Sequence, residues 1–173
     1  MLTGGAAAQE AADAVAPEAA FSGGALTLSA DAADALASKA AGTPVDAADW
    51  MVAAANPLAV EAGAAVLAKG GSAADAMVAV QTVLGLVEPQ SSGLGGGAFR
   101  VWYDAESGEV TTLDGRETAP AAVTPTLFQT ADGEPMQFFD AVVGGRSVGV
   151  PGTPALMQAA HDRWGTSDWA GLF

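Results

Sequence analysis

The chain has 173 residues, enough for one domain with a buried core, and half of them are apolar although aromatics make up only 6%. Twenty acidic residues against six basic ones leave a formal charge of -14, which argues against nucleic acid or an anionic membrane as partner, since both require basic patches. There is no cysteine, so a disulfide framework, a thiol nucleophile and a thiolate zinc site are all excluded.

Residues 1–49 read as a flexible Ala/Asp-rich leader without a sustained period, within which Ala32 to Ala41 allows a short helix. No basic segment opens it, and Glu10, Asp13 and Glu18 interrupt every apolar run, so no signal peptide is visible. From Trp50 the texture changes. Met51-Val-Ala-Ala-Ala is a strand candidate. Asn56-Pro57 then supplies a cap and a first-turn proline for a helix from Pro57 to Ala68, which stops at Lys69-Gly70-Gly71. Ser72 and Asp75 form a capping box with the shorter acid. The helix they open runs through Met77, Val80, Leu84 and Val87 and stops before Pro89, so a helical hairpin is expected. Its apolar run, Met77 to Val87, contains Gln81 and is too short to span a bilayer.

A glycine-rich loop follows, and then a β-hairpin. Phe99, Val101 and Tyr103 alternate with Arg100 and Trp102, a turn falls at Glu106-Ser107-Gly108, and Val110 to Leu113 returns. Residues 119–140 hold Pro120, Pro125 and Pro135 and little period, while Val142 to Val150 reads as a strand interrupted by Gly144-Gly145. Pro151 to Pro154 starts a helix with apolar positions at Leu156, Ala159, Ala160 and Trp164, ending at Gly165. Trp169 to Phe173 begins another element. This order predicts an α/β (α+β) layered fold, with helices covering a largely antiparallel sheet.

Most candidate chemistry has a plainer reading. Gly93, Gly95 and Ala98 match a dinucleotide fingerprint, but that site needs a strand before the loop and a helix after it, the reverse of the order here. Ser91 and Ser92 have no base nearby in sequence and no nucleophile-elbow motif. His161 lies on a polar helix face beside Asp162 and Arg163, and Thr111 and Thr112 serve as strand formers. One histidine and scattered acids give no metal-ligand spacing, so neither metal nor cofactor is expected. The remaining candidate is Arg116, whose planar fork suits a carboxylate. On composition alone it pairs on the surface with Asp114 or Glu117.

Five fragments in order, Asn56 to Gly63, Lys69 to Ala76, Glu88 to Phe99, Leu113 to Pro120 and Ser147 to Thr153, resemble the gamma-glutamyltransferase (gamma-glutamyltranspeptidase, or glutathione hydrolase) family. The resemblance covers essentially residues 50–173, the early part of that family's large subunit. It implies an N-terminal nucleophile hydrolase fold, an αββα sandwich, made as a proenzyme that cleaves itself into two subunits. The nucleophile would be a threonine at the start of the small subunit, beyond this chain, so no catalytic residue is expected here and this portion alone should be inactive. The resemblance also reverses the reading of Arg116: in the matching motif, Asp114 to Glu117, the arginine grips the α-carboxylate of the gamma-glutamyl group. Implied partners are gamma-glutamyl compounds such as glutathione, an acceptor amino acid, peptide or water, and the remainder of the proenzyme. A periplasmic or extracellular location is implied as well. Related amidases and β-lactam acylases of the same architecture, or a noncatalytic carboxylate-binding module, are the alternatives.

Overall fold

The structure is a computed structural model and describes residues 28–173. Most of the stretch expected to be a flexible leader therefore lies outside the described residues. The described residues divide into two compact units, one taking in residues 28–92 together with Thr166–Phe173, the other Gly93–Gly165.

The first unit is helical. Helix α1 (Ala30–Ala41) falls at the position where the sequence allows a short helix; Ser29 caps its start by accepting from the Ala32 N–H, and Gly42 ends it in a left-handed conformation. Helix α2 (Pro57–Ala68) begins as the sequence predicts, with Asn56 Oδ1 accepting from the Leu58 N–H at 3.0 Å and Pro57 in the first turn. Its end is a Schellman motif. Gly71 N–H donates to Val66 O, Gly70 N–H donates to Leu67 O, and Gly70 takes the φ of +85° that the motif requires.

Helix α3 (Ala73–Val87) opens on the predicted capping box: Ser72 Oγ accepts from Asp75 N–H at 3.1 Å while Asp75 Oδ2 accepts from Ser72 N–H at 2.9 Å. Helices α2 and α3 pack as a hairpin around small side chains, with Ala59, Ala74, Ala76, Val78 and Ala79 buried. Gly63 is where the approach is closest. A Cβ there would stand 2.6 Å from Val80 Cγ2 and 3.1 Å from Val52 Cγ1, so hydrogen is all the hairpin admits at that point. A 3-10 turn at Trp169–Leu172 packs on α3 and buries Leu172.

Met51 to Ala55, the strand candidate, is not a strand. Among the described residues of this unit no strand lies alongside the segment to take up its backbone groups, and a strand exists only as one side of a ladder.

The second unit is built on the predicted hairpin. Strands β1 (Ala98–Tyr103) and β2 (Val110–Gly115) pair antiparallel, with Phe99 opposite Asp114, Val101 opposite Thr112 and Tyr103 opposite Val110. Asp104 Oδ1 holds the turn by accepting from Glu106 N–H and Ser107 N–H, and Gly108 supplies its φ of +75°. Helix α5 (Thr153–Trp164) packs on this hairpin and buries Thr153, Leu156, Met157 and Ala160. Burial alternates along β1 so that Ala98, Arg100 and Trp102 are the more covered residues, while Phe99, Val101 and Tyr103 are exposed.

Val142 to Val150, expected as a strand, is instead the end of a five-residue helix, α4 (Phe138–Val142), a 3-10 turn at Gly145–Ser147 and a single bridge from Val150 to Thr118. Gly144 adopts a φ of +105°, and the Ser147 hydroxyl donates to Val142 O at 2.7 Å. That local turn bends the backbone out of the extended path. Arg146 Nη1 closes the excursion by donating to Leu127 O at 3.0 Å. The described residues thus mix helix with one two-stranded antiparallel sheet, and none of their helices is long and apolar enough to cross a membrane.

Candidate carboxylate-binding site

Arg116 follows the last residue of β2, where the chain must leave the hairpin. Asp114 fixes that exit by accepting from the Arg116 backbone N–H at 2.9 Å. The guanidinium is not what Asp114 engages. Instead Arg116 Nε stands 3.4 Å from Glu117 Oε2, an ion-pair distance without hydrogen-bond alignment, since that oxygen has no hydrogen-bond partner. The pairing that composition alone favours is therefore present for Glu117 and absent for Asp114.

The Arg116 side chain is 71% exposed, against 32% for Glu117. An ion pair so open to water contributes little, about 0–1 kcal/mol, so it orients the fork without saturating it. Glu117 is the more enclosed of the two. A Cβ on Gly97 would lie 2.6 Å from Glu117 Oε2, and one on Gly149 would lie 2.9 Å from Glu117 Cβ, so both glycines leave room for this side chain.

Backbone bonds knit the surrounding segments together. Gly96 O accepts from the N–H groups of Gly152 and Thr153 at 3.0 and 3.1 Å and from the Thr153 hydroxyl at 3.1 Å. Val150 N–H donates to Thr118 O at 2.8 Å. Gly152 packs against the carbonyl of Gly115 so closely that a Cβ would overlap it. The glycine-rich loop, the end of β2 and the start of α5 thus form one rigid knot from which Arg116 projects.

The other sequence candidates do not join it. Thr111 and Thr112 lie within β2 as strand residues, and His161 sits in the last turn of α5. In the first unit, Ser91 and Ser92 follow α3, where their N–H groups donate to Glu88 O and Gln81 Nε2 donates to Ser92 Oγ at 2.8 Å. The glycine-rich loop joins a helix to a strand, so it lacks the helix N-terminus that a pyrophosphate site needs. Sequence reasoning missed the cradle around Glu117. Its only signal was the recurrence of glycine at 96, 97 and 149, positions whose proximity the sequence does not reveal.

Residues 59–173 match the family model for gamma-glutamyltranspeptidase, and Arg116 with its whole knot lies inside the match. The chain belongs to the gamma-glutamyltranspeptidase family. Among curated relatives, the glutathione hydrolase proenzyme of Bacillus subtilis (strain 168) is 49% identical over 118 residues, covering 68% of this chain and 20% of the relative. This gamma-glutamyltranspeptidase-family chain thus spans about a fifth of that relative's length. Among solved structures, the Helicobacter pylori gamma-glutamyltranspeptidase matches with a TM-score of 0.70 at 36% identity, over 75% of this chain and 37% of that one. The Pseudomonas nitroreducens gamma-glutamyltranspeptidase complexed with L-DON matches with a TM-score of 0.67 at 36% identity, over 73% and 37% of the two chains.

Proposed function

We propose that this chain is the early large-subunit portion of an enzyme that cleaves gamma-glutamyl amides, glutathione among them, and that Arg116 grips the α-carboxylate of the gamma-glutamyl group. The observation that carries this reading is the exposed guanidinium of Arg116 on a rigid turn at the end of β2, within a chain of this family. A guanidinium keeps its charge at any working pH and offers a carboxylate two parallel hydrogen bonds. Fixing one end of the substrate in this way lets binding energy orient the scissile amide. Glu117, next to Nε, steadies the side chain while the terminal amino groups stay available.

On this reading the threonine nucleophile, its oxyanion donors and the second subunit come from sequence beyond residue 173, and the whole forms an N-terminal nucleophile hydrolase αββα sandwich. Self-cleavage of a precursor accords with the B. subtilis relative being named a proenzyme. The acyl group would pass to an acceptor amino acid, a peptide or water. The chain by itself is expected to be inactive, and the assembled enzyme to act in the periplasm or outside the cell.

The test is turnover of gamma-glutamyl-p-nitroanilide by the longer reading frame, with self-cleavage followed on a gel. Arg116→Ala is expected to cleave itself normally yet to lose about 10- to 100-fold in kcat/KM, mostly through KM, as the loss of charge-assisted hydrogen bonds requires. Arg116→Lys should recover part of it. Normal turnover by Arg116→Ala would remove the arginine from the site. Self-cleavage without any turnover would move the protein to an acylase of another specificity.

A further inference from the structure

Arg100 is a half-buried cation that the gamma-glutamyl reading does not use. It sits in the middle of β1 on the more covered side of the strand, a place that usually takes an apolar residue. Its guanidinium carbon lies 5.0 Å from the centre of the Trp102 ring and 5.6 Å from that of Trp164. The two indoles stack on each other, 4.7 Å apart and 11° from parallel. Arg163 adds a second guanidinium 5.8 Å from the Trp164 ring. Arg163 has a local reason to be there, since a cation in the last turn of α5 complements the helix carbonyls. Arg100 has none.

The cluster is short of acceptors. Arg100 Nε and Trp102 Nε1 are both enclosed without a hydrogen-bond partner, and no carboxylate stands within ion-pair distance of Arg100 among the described residues. This is notable in a chain with 20 acidic residues and six basic ones. Cation–π attraction offsets part of the cost of covering a guanidinium, but it accepts none of the N–H groups in their plane. Burial also pulls the Arg100 pKa below its usual value, as expected of a charge without a counterion. Enclosure stops at Nε; the residue is partly exposed, so the open part of the fork is its terminal amino groups.

We infer that Arg100, on the stacked indoles of Trp102 and Trp164, is a second carboxylate-binding point, independent of Arg116. A carboxylate meeting the terminal amino groups would supply the missing acceptor and counter-charge, with the indole faces as an apolar wall. The carboxylate comes either from a free ligand or from an Asp or Glu of a longer form of the protein.

The experiment is titration of the 173-residue chain with sodium acetate against sodium chloride at matched ionic strength, read by tryptophan emission, because both stacked indoles report on the site. A saturable change specific to acetate is expected, with half-saturation on the order of 10–100 mM for one or two charge-assisted hydrogen bonds. It should vanish in Arg100→Met, which keeps an unbranched apolar stem, weaken in Arg100→Lys, and persist in Arg116→Ala. An identical response to chloride, or one that survives in Arg100→Met, overturns the proposal. In the longer reading frame, a retained response assigns the point to a free carboxylate. A lost response, together with a melting temperature several degrees lower in Arg100→Met, assigns it to the protein's own Asp or Glu. A lost response with no change in melting temperature counts against a carboxylate altogether.

Discussion

Asp75 combines two duties in one oxygen. Its Oδ2 accepts from the Ser72 N–H as half of the capping box, and also from the Thr166 N–H at 3.0 Å, the Thr166 hydroxyl at 3.1 Å and the Ser167 N–H at 3.1 Å. The segment Thr166–Phe173 is thereby tied to the start of α3. Burial would by itself raise this carboxyl's pKa, but the hydrogen bonds from Thr166, Ser72 and Ser167 outweigh it and hold it well below the ordinary 3.8. A group whose pKa is lower folded than unfolded contributes stability above the unfolded value, and that contribution is lost as pH falls through the folded one. Asp75→Asn should therefore cost about 2–4 kcal/mol at pH 7, and its gap from the wild type should narrow steadily below about pH 4. Thermal unfolding of both proteins between pH 7 and pH 3 measures it, and a gap independent of pH would count against the charged latch. Of this residue's two roles the sequence displayed one. Ser72 and Asp75 are three positions apart and make a local pattern, whereas Thr166 is 91 residues away and makes none.

Among elements, those with local instructions were legible to the residue. Helices α2 and α3 begin at Asn56-Pro57 and at the Ser72 box, and α2 ends at its glycine pair, because caps satisfy the free backbone groups of a helix from its own neighbourhood. Asn56 does more than cap. Its Nδ2 also donates to Glu88 Oε1 at 3.4 Å, so two fully covered polar side chains join the start of α2 to the end of α3. Asn56→Ala should cost about 1–2 kcal/mol, and Asn56→Asp, though an equally good cap, should cost at least as much by burying a carboxylate against Glu88. Urea unfolding at pH 7 ranks the two; an Asp variant as stable as the wild type would show that the Glu88 contact contributes nothing. In the second unit Gly152→Ala places a methyl onto the Gly115 carbonyl, and about 1–3 kcal/mol of destabilisation is expected from the same measurement. Extended segments were less legible than helices. Met51 to Ala55 and Val142 to Val150 have strand-like composition, but their state depends on whether another strand lies alongside.

For the whole molecule the relevant quantity is charge. A net charge of -14 on 173 residues is self-repulsion that mobile ions can screen, so raising sodium chloride from about 10 mM to about 0.5 M should raise the melting temperature. No change, or a fall, would mean that local ion pairs dominate instead. The second unit also leaves Phe99, Val101 and Tyr103 uncovered on one side of its hairpin, and Phe138 and Phe139 uncovered on α4. The isolated chain should therefore bind a hydrophobic dye, and replacing Phe99 and Val101 together by Thr should lower the signal without loss of helicity.

By itself, the sequence determined what is decided between near neighbours: the helix ends, the hairpin and its turn, the order of elements, and the position of Arg116 at a strand exit within a family motif. Only the tertiary structure decided matters that depend on distant partners. Alternation along Ala98–Tyr103 announces that β1 has two faces, yet both carry large side chains, and apolarity alone would turn Phe99, Val101 and Tyr103 inward. The structure does the opposite. Gly115 lets α5 approach so closely that a Cβ would stand 2.6 Å from Leu156 Cβ, and the stack of Trp164 on Trp102 fills the more covered side of the strand together with Arg100. Which face meets a helix is set by the shape and contacts of that helix, and those arise only when residues far apart in the chain, such as Gly115 and Leu156 or Trp102 and Trp164, come together.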